Sequence, residues 1–215
     1  MQFADRHSAG ERLAKALRKL RLRPPLLVLA LPRGGLPVAE PIALALQAEL
    51  DVLVVRKIGM PGEPEFAVGA IAAGVLYESP MLRTGEFHAD IQAVIERERI
   101  ELERRERLYR AGRPPLAMRS KAVILVDDGL ATGATMLAAV RSARAAGARR
   151  LIVAVPVASP DAVVRLEQEA DRVVVLAAPE DFRAVGQYYD AFPQLEDAEV
   201  CRILERHGKD SPAAA

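Results

Sequence analysis

The sequence is short of cysteine, histidine and aromatic residues, and the first two shortages exclude two kinds of cross-link. Among 215 residues there is one cysteine, Cys201, so the chain cannot form an internal disulfide and suits a reducing compartment. The three histidines and the cysteine do not form a Cys/His cluster of the kind that holds zinc. A chain of this length buries roughly 70% of its unfolded surface. We therefore expect a core that is stable without covalent or metal cross-links.

Long apolar runs and an excess of charge of one sign are also missing. The longest apolar run near the N-terminus, residues 26–31, is far too short to span a bilayer. Residues 1–15 are charged throughout, unlike a signal peptide. The formal net charge of +1 gives no general attraction to nucleic acid or to an anionic membrane. The sequence thus predicts a cytoplasmic globular protein that binds neither membranes nor nucleic acid.

Short apolar runs alternate with helical patterns along the chain. The predicted core strands cover residues 26–31, 51–57, 123–126, 151–155 and 173–176. The predicted helices cover residues 8–20, 37–48, 87–110, 136–146 and 197–207, with one more beginning at residue 159. Residues 59–66 are predicted as a loop, followed by short β segments at 68–72 and 75–77. This alternation is typical of an α/β domain with a largely parallel sheet.

The most informative stretch is Val123-Ile-Leu-Val-Asp-Asp-Gly-Leu-Ala-Thr-Gly-Ala-Thr135. Four apolar residues predict a buried strand, two acids follow it, and a Gly/Thr loop leads into a helix. Parallel strands present ligand groups at their carboxyl ends, and the N–H groups at a helix start attract phosphate. Asp127 and Asp128 would repel a phosphate, so they suit hydroxyls or a cation beside it. The stretch therefore indicates a site for a ribose phosphate. The alternative is an ordinary strand-loop-helix turn that ends in two acids.

This stretch resembles the signature of the type I phosphoribosyltransferases, whose substrate is phosphoribosyl pyrophosphate (PRPP). The resemblance implies a Rossmann-like parallel sheet flanked by helices, with a small hood and an inserted helical or lid region. It implies that Asp127 and Asp128 bind the ribose hydroxyls. The implied ribose 5-phosphate loop is Ala131, Thr132, Gly133, Ala134 and Thr135. We expect one domain over residues 1–207, with the insert at about 59–113 and the hood at about 178–207, and a disordered tail at 208–215.

A second motif, Leu31-Pro-Arg-Gly-Gly35, follows the first strand, where the family binds the pyrophosphate of PRPP. Arg33 can fork two donors onto phosphate oxygens, and Gly34 and Gly35 let backbone N–H groups approach a ligand. Family members often have a non-proline cis peptide here, which would be the bond that joins Pro32 to Arg33. The alternative is a plain Gly-Gly turn with a surface arginine.

A third motif is Val55-Arg56-Lys57, followed by Gly59-Met-Pro-Gly62. It resembles the basic strand end and the closing loop of adenine phosphoribosyltransferases. The resemblance assigns Arg56 and Lys57 to the pyrophosphate and the loop to the exclusion of water, which would capture a ribosyl cation. The two basic residues could instead be solvent-facing.

The identity of the acceptor base is left open. Many 6-oxopurine members of the family have an aspartate three residues after the acid pair, whereas this chain has Ala131, as adenine-type members do. Glu63 or Glu65 of the predicted loop could act as acid or base instead. Phe182 and Tyr188 lie where the family places its hood. They could stack on the base, or they could pack the hood onto the domain.

The resemblance implies transfer of phosphoribose from PRPP to a purine or a related nitrogenous base, with release of pyrophosphate. Mg²⁺ would bridge the pyrophosphate and the ribose hydroxyls, close to Asp127 and Asp128, and Arg33 and Lys57 would stabilise the leaving group. The family, together with apolar residues at 66–77, also predicts a homodimer. A PRPP-binding regulator or scaffold without turnover is the main alternative. A phosphoacceptor domain fits less well, because a second acid patch and a strand-end lysine are not found in that arrangement.

Overall fold

Helices and strands alternate along most of the computed structural model, which describes residues 1–72, 75–78, 88–112, 114 and 117–209. In chain order the elements are α1 (Arg6–Arg18), β1 (Leu26–Ala30), α2 (Gly35–Leu46), β2 (Glu49–Val52), β3 (Val55–Met60), β4 (Glu63–Ala72), β5 (Val75–Glu78), α3 (His88–Arg110), β6 (Ala122–Val126), α4 (Ala134–Ala145), β7 (Arg150–Val157), α5 (Pro160–Glu167), β8 (Arg172–Ala177) and α6 (Asp197–Lys209). A short 3₁₀ turn, Val185–Tyr188, lies between β8 and α6.

The central sheet has five parallel strands in the order β2-β1-β6-β7-β8. All residues of β1 and β6 are buried, because helices cover both faces of the sheet. Along β1, Val28 packs in one core cluster with α1, α2 and α6, while its neighbours Leu27 and Leu29 pack in another with α4 and α5. This alternation follows from the two-residue period of a strand. The predicted α/β fold with a flanked parallel sheet is confirmed.

A lobe made of β3, β4, β5 and α3 is inserted between β2 and β6. Its three strands form a separate antiparallel sheet. The lobe is seated on the main domain partly through α4, where the buried Ser142 hydroxyl donates to the carbonyl of Ala72 at 3.2 Å. The long helix α3 turns a narrow apolar stripe inward, as predicted, through Ile91, Ile95 and Leu102. The insert was expected at about 59–113, whereas the lobe begins earlier, with β3 at Val55.

Two predictions at the start of this lobe are wrong. The run 51–57 is not one strand, because the chain leaves the central sheet after β2 and enters the lobe sheet at β3. A continuous apolar run cannot show this transfer, since Leu53 and Val54 are buried between the two sheets. The predicted loop 59–66 is mostly strand, and only Pro61 and Gly62 form the turn between β3 and β4. The side chains of Glu63 and Glu65 lie outside the described part of the chain.

Helix boundaries differ from the predictions by a few residues. Helix α1 begins at Arg6, because Asp5 and Ser8 form a capping box. The side chain of Asp5 accepts from the Ser8 N–H at 2.7 Å, and the Ser8 hydroxyl accepts from the Asp5 N–H at 3.1 Å. Helix α2 begins at Gly35, so the Arg-Gly-Gly motif forms its N-terminal end. Helix α6 runs to Lys209, two residues into the predicted tail, and residues 210–215 lie outside the described part.

The apolar surface expected at 66–77 falls partly outside the described part of the chain, which leaves out the side chains of Phe66, Val75 and Tyr77. Val68, Ile71 and Ala72 are buried, and Leu76 is partly buried against the core. The described side chains therefore give the homodimer prediction no support beyond the family resemblance. Among the described helices, not one has both the length and the apolar character needed to cross a bilayer. The cytoplasmic location stays a prediction.

Candidate functional site

The loops after β1 and β6 meet at the carboxyl edge of the sheet, because these strands are parallel neighbours. Just beyond the last strand pair, the N–H of Leu31 donates to the carbonyl of Val126 at 2.8 Å. The Arg-Gly-Gly motif and the acid pair are thereby brought side by side. The bond between Pro32 and Arg33 is cis, as the resemblance predicted.

Gly34 is in direct contact with the second acid. A Cβ added to Gly34 would lie 2.1 Å from Oδ2 of Asp128 and 2.6 Å from its Cγ. Any larger residue at position 34 would push the carboxylate out of place. The glycine is thus required by the close approach of the two loops. Sequence reasoning assigned Gly34 to a ligand, whereas its observed contact is with Asp128.

The two acids share a partly buried site. Burial and the neighbouring Asp128 carboxylate raise the pKa of Asp127 well above its ordinary value. Burial also raises the pKa of Asp128, although the Arg6 guanidinium opposes this shift. Oδ1 of Asp127 accepts from the N–H of Asp128 at 2.9 Å. Such a pair is stabilised by hydroxyl donors or by a cation, as expected of a site for a diol.

Arg6, at the start of α1, is the partner of Asp128 that the sequence did not reveal. Its Nε donates to Oδ2 of Asp128 at 2.8 Å, and its Nη1 donates to the carbonyl of Pro193 at 2.8 Å. Its guanidinium carbon lies 3.7 Å from the centre of the Phe192 ring. Arg6 is only 8% exposed, so this cation is held in one place beside the acid pair.

Residues 182–195 of the predicted hood, the hood segment, contact the N-terminal residues beside Asp128. The backbone N–H of Phe3 donates to the carbonyl of Tyr188 at 2.9 Å, and the Phe3 and Tyr189 ring centres are 5.5 Å apart. The Tyr189 hydroxyl donates to the carbonyl of Asp128 at 2.6 Å, and burial raises its pKa, which keeps the proton on the oxygen. The aromatic concentration in the sequence was the one signal for this contact.

The two aromatic residues predicted to contact a base stack on each other instead. The rings of Phe182 and Tyr188 are 5.7 Å apart and 12° from parallel. Neither lines a described cavity next to the acids, whereas Phe192 does. Their contact with an acceptor stays a prediction.

The predicted phosphate loop leads from the acid pair into α4. Ser159 Oγ donates to the carbonyl of Ala131, which fixes one side of the loop to the start of α5. Gly133 has a φ of +73° and directly precedes the helix. The first N–H groups of a helix have no acceptor within the helix, which suits this end of α4 to an anion. The N–H of Ala134, the first of them, donates to Thr132 Oγ1 at 3.4 Å.

Two cavities open at this edge of the sheet. The lobe-side cavity, of about 540 Å³, is lined by Val55, Arg56, Lys57, Gly59, Met60, Pro61, Gly62, Val94, Arg97, Glu98 and Thr135. The hood-side cavity, of about 390 Å³, is lined by Arg6, Arg33, Gly34, Asp128, Phe192, Pro193, Gln194 and Leu195. The predicted pyrophosphate residues are thus divided, since Arg56 and Lys57 lie on the lobe side and Arg33 on the hood side.

The Arg56 side chain is held by Glu98, an acid that the sequence did not mark as functional. Glu98 of α3, only 8% exposed, accepts from Nε of Arg56 at 2.7 Å and also contacts Arg97 at 3.3 Å. This pairing fixes the Arg56 guanidinium at the wall of the lobe-side cavity. Its only sequence signal was a charged helix face, which gives no indication of burial.

No group of three or more His, Cys, Asp or Glu side chains in the described ranges could hold a metal ion on its own. A cation at this edge would therefore need oxygens of a bound ligand in addition to the Asp127 and Asp128 carboxylates. Carboxylate oxygens are ligands that Mg²⁺ prefers, and it commonly completes its coordination with substrate phosphates. The raised pKa values of both acids fit a site that a cation would stabilise.

Comparison with known proteins agrees with this geometry. The family model of the phosphoribosyl transferase domain matches residues 3–192. A Mycobacterium tuberculosis (strain H37Rv) protein, named only provisionally as a phosphoribosyl transferase, is 46% identical over 211 residues, which is 97% of this chain. The match covers 47% of that protein, so the chain spans about half the length of this curated relative.

A solved structure is also similar over nearly its whole length. The protein TT1426 from Thermus thermophilus is 48% identical, with a TM-score of 0.87 over 96% of this chain and 99% of that one. The match of the family model extends from the N-terminal residues that carry Arg6 to Phe192 of the hood segment. The chain belongs to the phosphoribosyl transferase domain family.

Proposed function

We propose that the protein transfers the phosphoribosyl group of PRPP to a ring nitrogen of a purine or a related heterocycle and releases pyrophosphate. The observation that carries this proposal is the position of the acid pair. The loop after Asp127 and Asp128 leads to a helix N-terminus suited to phosphate, Asp128 lines the hood-side cavity with Arg6 and Arg33, and Thr135 of that helix lines the lobe-side cavity with Arg56 and Lys57. A molecule with one phosphate, a diol and a second phosphate group matches these three features together.

In this proposal the phosphate loop binds the 5-phosphate, and the acid pair accepts hydrogen bonds from the ribose hydroxyls. Asp127 and Asp128 also stabilise the ribose electrostatically as its anomeric carbon becomes cationic. The bond from that carbon to pyrophosphate breaks, and its electron pair leaves with the pyrophosphate. The new bond uses the lone pair of the acceptor nitrogen. Arg33 and Lys57 stabilise the charge on the leaving group.

Mg²⁺ is the proposed cofactor, held by Asp127 and Asp128 together with substrate oxygens. When bound, it would supply charge neutralisation for the pyrophosphate. The chain's own part is to place the carboxylates, which the contact with Gly34 and the hydrogen bonds of Arg6 and Asp127 achieve. The lobe turn at Pro61 and Gly62 borders the lobe-side cavity and is the proposed means of excluding water.

The test is to incubate the protein with PRPP, Mg²⁺ and a broad panel of bases and to follow pyrophosphate. We expect at least one base to stimulate its release. If PRPP binds tightly by calorimetry and no base stimulates release, the regulator or scaffold function becomes the better proposal. The amount of charge directed at a pyrophosphate favours the enzyme, because a sensor of ribose phosphate alone does not need Arg33, Arg56 and Lys57 together.

Replacing Gly133 by Ala should weaken binding of ribose 5-phosphate at least tenfold and lower the thermal midpoint. The left-handed φ costs an alanine about 1–2 kcal/mol, and the new methyl would lie 3.1 Å from Cβ of Ala162. The loop can relieve this crowding only by moving away from its phosphate-binding position. Calorimetric titration with ribose 5-phosphate measures the change.

Gly112 provides a matched control, since it has a φ of +85° and nothing within 4 Å of an added Cβ. Gly112→Ala should lower stability by the backbone cost alone and leave ribose 5-phosphate binding unchanged. Equal binding by both variants would show that the phosphate lies elsewhere.

We also propose a homodimer, on the family resemblance alone. Light scattering at micromolar concentration should give twice the chain mass of 23.3 kDa. A monomeric mass would reject it.

A further inference from the structure

The hood-side cavity lies next to the proposed ribose site, because Asp128 forms part of its wall. Its volume of about 390 Å³ is within the range of small-molecule sites and is sufficient for one small heterocycle. The lobe-side cavity supplies Arg56 and Lys57 to the proposed pyrophosphate site, and Arg33, proposed to meet the same group, lies in the hood-side lining beside Gly34. The part of the hood side that the proposed function leaves for the acceptor is therefore the part around Arg6 and Phe192.

The polar groups of this cavity are mainly donors. Arg6 and Arg33 can only donate hydrogen bonds. Two acceptors at the wall are already engaged, since Oδ2 of Asp128 and the carbonyl of Pro193 both accept from Arg6. Gln194 is the remaining amide side chain in the lining. The cavity therefore favours an occupant that carries hydrogen-bond acceptors or negative charge.

Arg6 is the fixed donor of this set. Its Nε and Nη1 are bonded and its guanidinium lies against Phe192, while Nη2 has no hydrogen-bond partner among the described residues. It belongs to the cavity lining, so this third nitrogen is the group that a ligand oxygen can meet. Because the other contacts already immobilise the side chain, little entropy is lost when a ligand binds.

We propose that Arg6 is a specificity-determining residue that selects an acceptor with a carboxylate or carbonyl oxygen near its reacting nitrogen. This inference rests on the proposed function. When the ring N–H of such a heterocycle loses its proton, the negative charge is shared with the conjugated ring carbonyl oxygens, and a carboxylate substituent carries a negative charge of its own. The Arg6 cation stabilises that anion, so the proton leaves to solvent before the nitrogen's electron pair forms the new C–N bond. This provides an activated nucleophile where position 131 has alanine and not an acid.

The experiment is calorimetric titration of the full chain, saturated with ribose 5-phosphate, with three probes: orotate, uracil and adenine. Orotate is uracil with an added carboxylate, and adenine has an amino group where 6-oxopurines have a carbonyl. We expect orotate to bind at least tenfold more tightly than adenine, with uracil between them. Arg6→Gln should weaken orotate about 10- to 100-fold and change adenine by less than threefold.

Arg18→Gln, on the exposed side of the same helix, is the matched control and should change none of the affinities. Arg6→Lys keeps the positive charge but loses the several donors of the guanidinium. It should therefore keep the thermal midpoint of unfolding and part of the preference for orotate. If Arg6→Gln does not fold, the Arg6→Lys variant decides, and an unchanged orotate affinity would reject the inference.

The inference would be overturned if adenine bound as tightly as orotate, if the wild type bound none of the probes, or if Arg6→Gln weakened all probes and ribose 5-phosphate equally. Displacement of orotate by pyrophosphate would also overturn it, because the cavity would then hold the leaving group. Failure of the proposed function gives a different result. Orotate would still bind through Arg6, but PRPP would release no pyrophosphate with any base.

Discussion

Replacing Asp127 and Asp128 together by Asn should abolish measurable binding of PRPP. Each carboxylate is proposed to accept charge-assisted hydrogen bonds from ribose hydroxyls, and such bonds contribute about 1.5–3 kcal/mol each. Their joint loss weakens binding by more than a hundredfold. Calorimetric titration with PRPP and Mg²⁺ measures this change in affinity. An unchanged affinity in a folded double variant would contradict the assignment of the site.

The two single variants should have opposite effects on stability. Asp127→Asn removes a carboxylate whose pKa is raised by burial and by its neighbour, so the folded state gains stability at neutral pH. Asp128→Asn removes the partner of Arg6 and leaves a buried cation unpaired, so the thermal midpoint should fall. For a chain of this size, each kcal/mol corresponds to about 2–4 °C.

The gain from Asp127→Asn should depend on pH. Because the folded pKa of Asp127 lies above the ordinary value of 3.8, the folded wild type binds more protons than the unfolded chain between these two values. Its stability therefore falls as the pH rises through that window, and the full penalty is present above the folded pKa. The variant's gain should be largest at neutral pH and vanish below 3.8.

Asp181→Asn is the matched control, because this aspartate is exposed and lines neither of the two cavities. It should change neither PRPP affinity nor the dependence of the midpoint on pH. A gain from Asp127→Asn that stays constant from acid to neutral pH would show that the charge of Asp127 is not the cause.

Arg33→Ala should lower the rate of pyrophosphate release by about 10²- to 10³-fold, which is typical when one group that stabilises developing charge is removed. The guanidinium is proposed to meet the leaving group and not the 5-phosphate. Binding of ribose 5-phosphate should therefore stay within about threefold of wild type. Parallel measurement of pyrophosphate release and of ribose 5-phosphate affinity separates the two effects.

Arg33→Lys tests the geometry of the fork, since lysine keeps the charge but cannot donate in a bidentate manner. It should recover only part of the rate. Arg165→Ala, on the exposed face of α5, is the control for loss of one positive charge and should leave both measurements unchanged. If Arg33→Ala weakens ribose 5-phosphate as much as it slows release, the residue serves the phosphate or the fold.

The strand-acid-loop-helix unit was predictable because all of its signals are local. Strand β6 is a run of apolar residues, Asp127 and Asp128 follow at its end, and Gly133 marks the entry to α4. The neighbouring positions of β1 and β6 come from the structure, and their parallel pairing brings the two following loops together and places Gly34 against Asp128. The fold class followed from the same alternation of strands and helices.

The parts that could not be predicted depend on contacts between distant segments. Arg6 is 122 residues from Asp128, and nothing near Arg6 distinguishes it from the other arginines. The burial of Glu98 against Arg56 depends on how α3 lies across the lobe sheet. The division of residues 51–57 between two sheets is decided by where the inserted lobe leaves the core, which an apolar run does not show.

The pairing of Phe3 with Tyr189 has a consequence for the order in which the molecule is completed. The ribosome makes Phe3 and Arg6 well before their partners in the hood segment, since 187 residues separate Arg6 from Pro193. Strands β1 and β6 can pair before that point, but closure between the two distant segments has to wait for residues 189–193. Until then Arg6 is a solvated surface cation, and Asp128 lacks its counter-ion. A nascent chain thus contains residues 131–135 and both acids before the hood-side cavity is formed.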